Sequence, residues 1–260
     1  MAFVIMNEKA AWRPHVPPGQ RIYAVGDIHG MSELLEDILS YVRADLAARP
    51  PAGKVTLVFL GDYVDRGPDS AKVLARLADL KIPDVDVRCL MGNHEELFQQ
   101  FLDEPIDIWP HWLLLGAVET LGSFGVAAPR NRVDRAQILA ARKALSAEIS
   151  TTVAGFFGSL RLFHVAGDYL FVHAGLKSNV PLERQDARDL LWIRREFLDS
   201  AEPFSHFVIH GHTPTQSPDV AANRIGIDTG AYLTGVLSCL VLEADRRWVF
   251  QSNRPDLTPL

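Results

Sequence analysis

Five short apolar runs along the chain each end abruptly in glycine or histidine. Their length and their content of β-branched and aromatic residues predict buried β-strands. The runs span residues 21–25, 55–60, 85–91, 169–172 and 206–209. The repeated change from apolar to polar residues places candidate functional side chains directly after each predicted strand.

Helix-like stretches follow the first two runs, which predicts strands that alternate with helices. Leu35 and Leu39 lie on one face at the 3.6-residue period, and Ser32 is the predicted N-cap. A second helix is predicted to open at 68–70, with Val73 on its apolar face. Such alternation favours parallel strands whose carboxyl ends carry the functional residues.

The later part of the chain has a different pattern. A hairpin is predicted over 160–172, and two antiparallel strands over 236–242 and 247–251. The segment 97–159 has a mostly helical pattern and is interpreted as an insertion. The prediction is therefore one α/β domain over 1–260, with mixed β-sheets flanked by helices.

Composition limits the possible partners and locations. The 260 residues are 48% hydrophobic and 22% charged, which is ordinary for a globular protein. A net charge of −6 without a lysine and arginine cluster argues against a nucleic-acid partner. The apolar runs are too short for a membrane partner, and no signal peptide is expected. The two cysteines, Cys89 and Cys239, lie in apolar runs and are expected to be core thiols, so we expect a cytoplasmic location.

Six side chains that can bind metal follow these runs. They are Asp27, His29, Asp62, Asn93, His173 and His212. Each alone is typical of a turn, but parallel strand ends are neighbours in space, so the set would line one rim. Carboxylate, imidazole and amide ligands without thiolate suit manganese foremost, with iron or zinc as alternatives. Six ligands from five loops exceed the need of one ion, so the set predicts two ions that share one carboxylate.

Three motifs in order resemble the signature blocks of the phosphoprotein phosphatases, within the calcineurin-like metallophosphoesterases. They are Gly-Asp-Ile-His-Gly at 26–30, Gly-Asp-Tyr-Val-Asp-Arg-Gly at 61–67 and Gly-Asn-His-Glu at 92–95. Blocks at 171–175 and 210–214 resemble the family's later metal motifs. The resemblance implies the family's β-sandwich flanked by helices. It favours the bacterial serine/threonine protein phosphatases, since many other relatives carry a second histidine where Pro214 stands.

The resemblance also implies a role for each residue of these motifs. One metal would be held by Asp27, His29 and Asp62, and the second by Asp62, Asn93, His173 and His212. A hydroxide bridging the two metals would attack phosphorus.

Four further residues would serve the phosphate group and the leaving group. His94 would be the general acid, oriented by Asp65, and Arg66 and Arg194 would bind phosphate oxygens. Two assignments are left open. Arg195 is an alternative to Arg194 as the phosphate-binding residue, and His210 is an alternative to His212 as the metal ligand. Trp109 and Trp112 are assigned to packing, and His111 receives no function.

Three functions are compatible with these motifs. The first is hydrolysis of phosphoserine or phosphothreonine in proteins or of small phosphoesters. The second is symmetrical cleavage of bis(5'-nucleosyl)-tetraphosphates, because bacterial relatives with these blocks have that chemistry. The third is a binding protein without turnover, but neither a metal ligand nor the general acid is lost. Residues 115–117 depart from an Asn-Gly-Gly found in many relatives, in the segment where substrate preference would lie.

Overall fold

Two mixed β-sheets are the framework of the molecule. A computed structural model describes residues 13–131, 133–200, 202 and 204–260. The strands are β1 (Arg21–Val25), β2 (Val55–Phe59), β3 (Val85–Cys89), β4 (Phe163–Ala166), β5 (Tyr169–Val172), β6 (Phe207–His210), β7 (Asp219–Val220), β8 (Arg224–Gly226), β9 (Ser238–Glu243), β10 (Arg246–Gln251) and β11 (Arg254–Pro259).

Helices flank the sheets and fill the segment between β3 and β4. They are α1 (Ser32–Ala48), α2 (Ser70–Ala78), α3 (Asn93–Asp103), α4 (Pro105–Trp112), α5 (Ala117–Ser123), α6 (Arg135–Glu148), α7 (Thr151–Ser159), α8 (Ala187–Trp192), α9 (Arg195–Leu198) and α10 (Ala231–Thr234). Short 3₁₀ turns lie at Leu113–Leu115 and Leu182–Arg184. None of the helices in the described residues is long and apolar enough to cross a membrane.

The strand order places the ends of the parallel strands together. One sheet has the order β11-β10-β9-β1-β2-β3, and the other has the order β4-β5-β6-β8-β7. Strands β1, β2 and β3 are mutually parallel, as are β5, β6 and β8. The chain therefore leaves each of these strands on one side of its sheet, where the predicted ligands follow.

The two sheets pack face to face around a shared apolar layer. On β1, Ile22 and Ala24 point into this layer, whereas Tyr23 and Val25 pack on the helical side. Phe171 and Ile209 complete the layer from the second sheet. Full burial of each such large side chain contributes about 1.5–3 kcal/mol. This alternation explains why β1 is buried along its whole length, and the predicted α/β class with mixed sheets and flanking helices is confirmed.

The local predictions are confirmed in part. The hairpin of β4 with β5 and the antiparallel pairing of β9 with β10 form as predicted. Ser32 is wrong as an N-cap, because Met31 holds that position and the Ser32 hydroxyl donates to Asp69 instead. Strands β7 and β8 were not predicted, since they have only two and three residues. Strand β11 was also missed, because its exposed arginine, proline and aspartate are unusual in a strand.

The segment between β3 and β4 contains helices α3 to α7. Trp109 and Trp112 are fully buried against Phe101, which confirms their assignment to packing. Both cysteines are free thiols, with Cys239 buried and Cys89 half-buried. The division of the chain into domains stays a prediction.

Candidate metal centre

The ends of the parallel strands meet in one buried cluster of polar side chains. The six predicted ligands are each at most 5% exposed, although they come from five different loops. Two glycines permit this close approach. A Cβ atom at Gly92 would overlap Asp62 Oδ1, and one at Gly211 would overlap Asp27 Oδ1. The cluster therefore depends on bare backbone at both positions.

Left-handed backbone is concentrated in the same loops. The φ angles are 47° at His29, 52° at Asp62, 71° at Asp65, 69° at Arg66 and 65° at His212. Non-glycine residues adopt this region at a cost, and such residues gather at functional sites. The loops aim these side chains by backbone conformation as well as by packing.

The first group of potential ligand atoms comes from His29, Asp62 and His94, whose ligand atoms lie within 4.8 Å of one another. The His29 Nδ1 atom lies 2.9 Å from the Val64 carbonyl oxygen. Donation to that carbonyl leaves Nε2 with a free lone pair, 3.6 Å from Asp62 Oδ2. Burial and the neighbouring His94 lower the pKa of His29 to about 3, which keeps it in the neutral form that binds metal.

The second group comes from Asp62, His173 and His212, again within 4.8 Å. His173 Nδ1 lies 2.9 Å from the Leu60 carbonyl oxygen, so the Nε2 lone pair points the other way. The Nε2 atom lies 3.3 Å from Asp62 Oδ1, so two hydrogen-bond acceptors face each other with no hydrogen between them. The Asn93 Oδ1 atom also lies within 2.9 Å of both His173 Nε2 and His212 Nδ1. Acceptor atoms that converge in this way fit a cation between them.

Asp27 lies next to both groups but belongs to neither set of three. Its Oδ2 accepts the backbone N–H of His212 at 2.9 Å, whereas Oδ1 is buried without a hydrogen-bond partner among the described residues. Burial, followed by the charges of Asp228 and Asp62, raises the pKa of Asp27 well above its usual range. Buried carboxylates this close together repel one another unless a cation lies between them. Their crowding, like the converging acceptor atoms of the second group, therefore indicates that the residues fit divalent cations.

Asp228 is a carboxylate of this cluster that was not predicted from the sequence. It is 3% exposed and accepts the backbone N–H of Gly230 at 2.8 Å. Burial, with a smaller contribution from the charge of Asp62, raises the pKa of Asp228 to about 6. The Asp-Thr-Gly sequence at 228–230 was a usable signal, but β8 was too short to be recognised as the strand that precedes it.

Asp65 and His94 form a buried pair beside the cluster. Asp65 Oδ2 lies 2.6 Å from His94 Nδ1. Burial alone would lower the pKa of His94, but the charges of Asp62 and Asp65 raise it to about 9. Trp112 Nε1 and Thr120 Oγ1 also donate to Asp65, at 2.9 Å and 2.6 Å. Both donors come from the helical segment, and neither was predicted to have this role.

The two predicted arginines approach the cluster differently. The Arg66 guanidinium lies 5.4 Å from the Tyr232 ring centroid, and its Nε is buried without a partner in the described structure. Arg194 is exposed, but its charge reaches the cluster. Burial, the neighbouring His173 and the charge of Arg194 together lower the pKa of His212 to about 2. Arg195, the alternative, is exposed and begins α9.

The structure distinguishes between His210, the last residue of β6, and His212, the two candidates for one metal ligand. His210 Nδ1 lies 3.0 Å from the Gly211 carbonyl oxygen, and its ring packs on Phe197. His212 instead lies in the second ligand group with His173. The structure therefore brings His212, and not His210, to the shared Asp62.

Two ligand groups that share Asp62, at one edge of a β-sandwich, define a candidate centre for two metal ions. A family model described as calcineurin-like phosphoesterase matches residues 20–256, and the chain belongs to this family. It is accordingly a metal-dependent phosphoester hydrolase.

Relatives of known name are distant but span most of the chain. Bis(5'-nucleosyl)-tetraphosphatase PrpE, asymmetrical, of Bacillus cereus is 26% identical over 239 residues, which cover 83% of this chain and 88% of the relative. The protein of the same name from Bacillus velezensis is 24% identical over 226 residues, or 79% and 82% of the two chains.

Solved structures share the fold at low sequence identity. A candidate diadenosine tetraphosphatase superposes with a TM-score of 0.59 at 23% identity, covering 88% of this chain and 94% of the other. A cold-active protein-tyrosine phosphatase of a Shewanella species superposes with a TM-score of 0.58 at 17% identity, covering 95% of this chain and 83% of the other. The phosphoprotein phosphatase branch within the family stays a prediction.

Proposed function

We propose that the chain hydrolyses phosphate compounds at a centre for two divalent cations. One cation is assigned to Asp27, His29 and Asp62. The other is assigned to Asp62, Asn93, His173 and His212. The observation that carries this proposal is Asp62, whose carboxylate belongs to both ligand groups; in the first group the assignment takes the adjacent Asp27 as ligand and leaves His94 as a proton donor. When bound, the cations supply Lewis acidity and lower the pKa of water. Nitrogen and oxygen ligands without thiolate favour manganese, with iron or zinc as alternatives.

The remaining roles fall to side chains around the cluster. His94 is assigned the donation of a proton to the leaving oxygen, from Nε2, since its Nδ1 is held by Asp65. Arg66 and Arg194 are assigned to the phosphate oxygens, where a guanidinium can donate two parallel hydrogen bonds.

Dinucleoside polyphosphates are the substrate class that we favour. The two Bacillus relatives carry that activity in their names and align over about four fifths of this chain. Their names specify asymmetrical cleavage, so we propose ATP and AMP as the products from diadenosine tetraphosphate. Symmetrical cleavage would give two molecules of ADP.

Phosphoserine and phosphothreonine are the second candidate class. The supporting observation is the buried pair of His94 and Asp65, whose Nδ1–Oδ2 distance is 2.6 Å. An alkoxide is a poor leaving group that needs a proton, whereas a nucleoside phosphate leaves more readily. A well-built general acid therefore favours an alkyl ester, which fits the serine/threonine phosphatase activity expected from the motifs.

Turnover of the Mn²⁺-loaded protein on the two substrates tests the proposal. We expect a higher kcat/KM on diadenosine tetraphosphate than on a phosphoserine peptide, with products identified by chromatography. A higher value on the peptide would reverse the order of the two candidates. An Asp62→Asn control identifies contaminating activity, and no metal-dependent turnover on either substrate would refute the proposal as a whole.

A further inference from the structure

An aromatic pair lies at the rim of the candidate metal centre. The rings of His111 and Trp192 are stacked, with centroids 5.7 Å apart and planes 28° apart. His111 belongs to α4, and Trp192 is the last residue of α8. The Trp192 ring lies 6.3 Å from that of the ligand His212, so the pair adjoins the place assigned to phosphate.

The pair is both fixed and accessible. Trp192 Nε1 donates to Glu96 Oε2 at 2.6 Å, which sets the orientation of the indole. Glu96 is two residues after the candidate acid His94, on the same helix α3. His111 is exposed and Trp192 is half-buried, unlike the fully buried Trp109 and Trp112 of the same region.

One large apolar side chain near the pair is exposed. Leu114 follows His111 by three residues in a continuous helical turn, so the two side chains lie on the same face. Leu114 is 62% exposed, which is high for a large apolar side chain. Ring faces and an exposed leucine beside a phosphate-binding centre match a flat apolar group joined to a phosphate.

We propose that the pair of His111 and Trp192 is a stacking platform for the nucleobase of the substrate. The proposal rests on the proposed function, since it assigns the base of a nucleotide whose phosphates lie at the metal cluster. Every nucleobase presents a π-face that can stack on an aromatic side chain. Because Glu96 already holds the indole, little freedom is lost when a base binds.

The affinities of AMP and ribose 5-phosphate test the platform, because these ligands share the phosphate and ribose and differ by the base. Calorimetry on the Mn²⁺-loaded protein is expected to give AMP an affinity roughly 5- to 150-fold higher, the range for one stacked base. Phosphate release is followed in the same samples. Equal affinities, or no measurable binding of either ligand, would overturn the proposal.

Variants assign the preference to particular rings. Trp192→Leu and His111→Ala are expected to remove most of the preference for AMP, with the affinity for ribose 5-phosphate unchanged. Trp192→Phe keeps a ring but loses the bond to Glu96, so it should retain most of the preference. Trp248→Leu, at a half-buried tryptophan on β10, is the matched control. A full AMP preference in both Trp192→Leu and His111→Ala would refute the platform.

Failure of the platform differs from failure of the proposed substrate. Diadenosine tetraphosphate hydrolysis without a preference for AMP would refute only the platform. A preference for AMP without hydrolysis of the dinucleotide would refute that substrate and leave the base site in place.

Discussion

Thr120 offers a direct test of whether the helical segment supports the candidate acid. Its hydroxyl donates to Asp65 Oδ1 at 2.6 Å and accepts the Asp65 backbone N–H at 2.9 Å. Thr120→Val keeps the side-chain volume but removes a hydrogen bond to a buried carboxylate. Such a bond contributes about 1.5–3 kcal/mol to the free energy of unfolding. Ser70 Oγ, 3.0 Å from the same N–H, still satisfies the backbone.

We therefore expect Thr120→Val to lower the free energy of unfolding by about 2–3 kcal/mol. For a chain of this size that corresponds to a fall in Tm of roughly 4–6 °C. The activity should change selectively. Because Asp65 is held less firmly in this variant, it orients His94 less well, and kcat on alkyl phosphates should fall about 10-fold. This is part of the roughly 10²–10⁴-fold rate increase that a general acid supplies. Aryl phosphates, with better leaving groups, should be affected less.

Chemical denaturation and steady-state kinetics measure these effects, with Thr258→Val as the control. Thr258 is exposed on β11, where a surface substitution changes stability by less than about 0.5 kcal/mol. Trp112→Phe removes the second donor to Asp65, so its effect and that of Thr120→Val should be non-additive. If Thr120→Val resembles Thr258→Val in stability and leaving-group dependence, the helical segment does not support the acid.

Three further substitutions test the centre itself. Asp62→Asn should weaken both metal sites and abolish turnover, so two bound metals with retained activity would exclude Asp62 as the shared ligand. His94→Asn should keep metal content, measured by elemental analysis, while slowing alkyl esters far more than aryl esters; equal losses would speak against a general acid. Gly92→Ala should displace Asp62 and reduce metal content, because its Cβ would overlap that carboxylate. Gly122→Ala is its control, since a Cβ there meets nothing within 4 Å and alanine favours the helix.

The strand ends were predictable from sequence because each ligand lies within a few residues of the end of an apolar run. A continuous apolar run, such as residues 22–25 of β1, encodes burial on both faces, and a parallel sheet brings successive strand ends together. The order of the motifs along the chain then indicates which side chains form the ligand set. The part of the site that depends on local strand and turn geometry is therefore predictable from the sequence pattern.

The partners contributed by distant segments were not predictable in this way. Thr120 and Trp112 reach Asp65 only because the helices after β3 fold back over the loop at 61–67. Nothing in the spacing of a threonine within a helix distinguishes that contact from ordinary packing. Asp228 was hidden for a different reason, since a three-residue strand has too few residues to show a period. The aromatic pair of His111 and Trp192 likewise exists only through tertiary contact.

The left-handed residues of the site have a consequence for the evolution of such chains. Each non-glycine residue with positive φ, such as His29 or Asp65, costs on the order of 1 kcal/mol relative to glycine. The roles proposed for these residues in hydrolysis account for histidine, aspartate and arginine at these positions. In a duplicated copy released from that selection, glycine would be the substitution that relieves the strain. Glycine at two or more of positions 29, 62, 65, 66 and 212 would therefore mark a copy that has lost its activity.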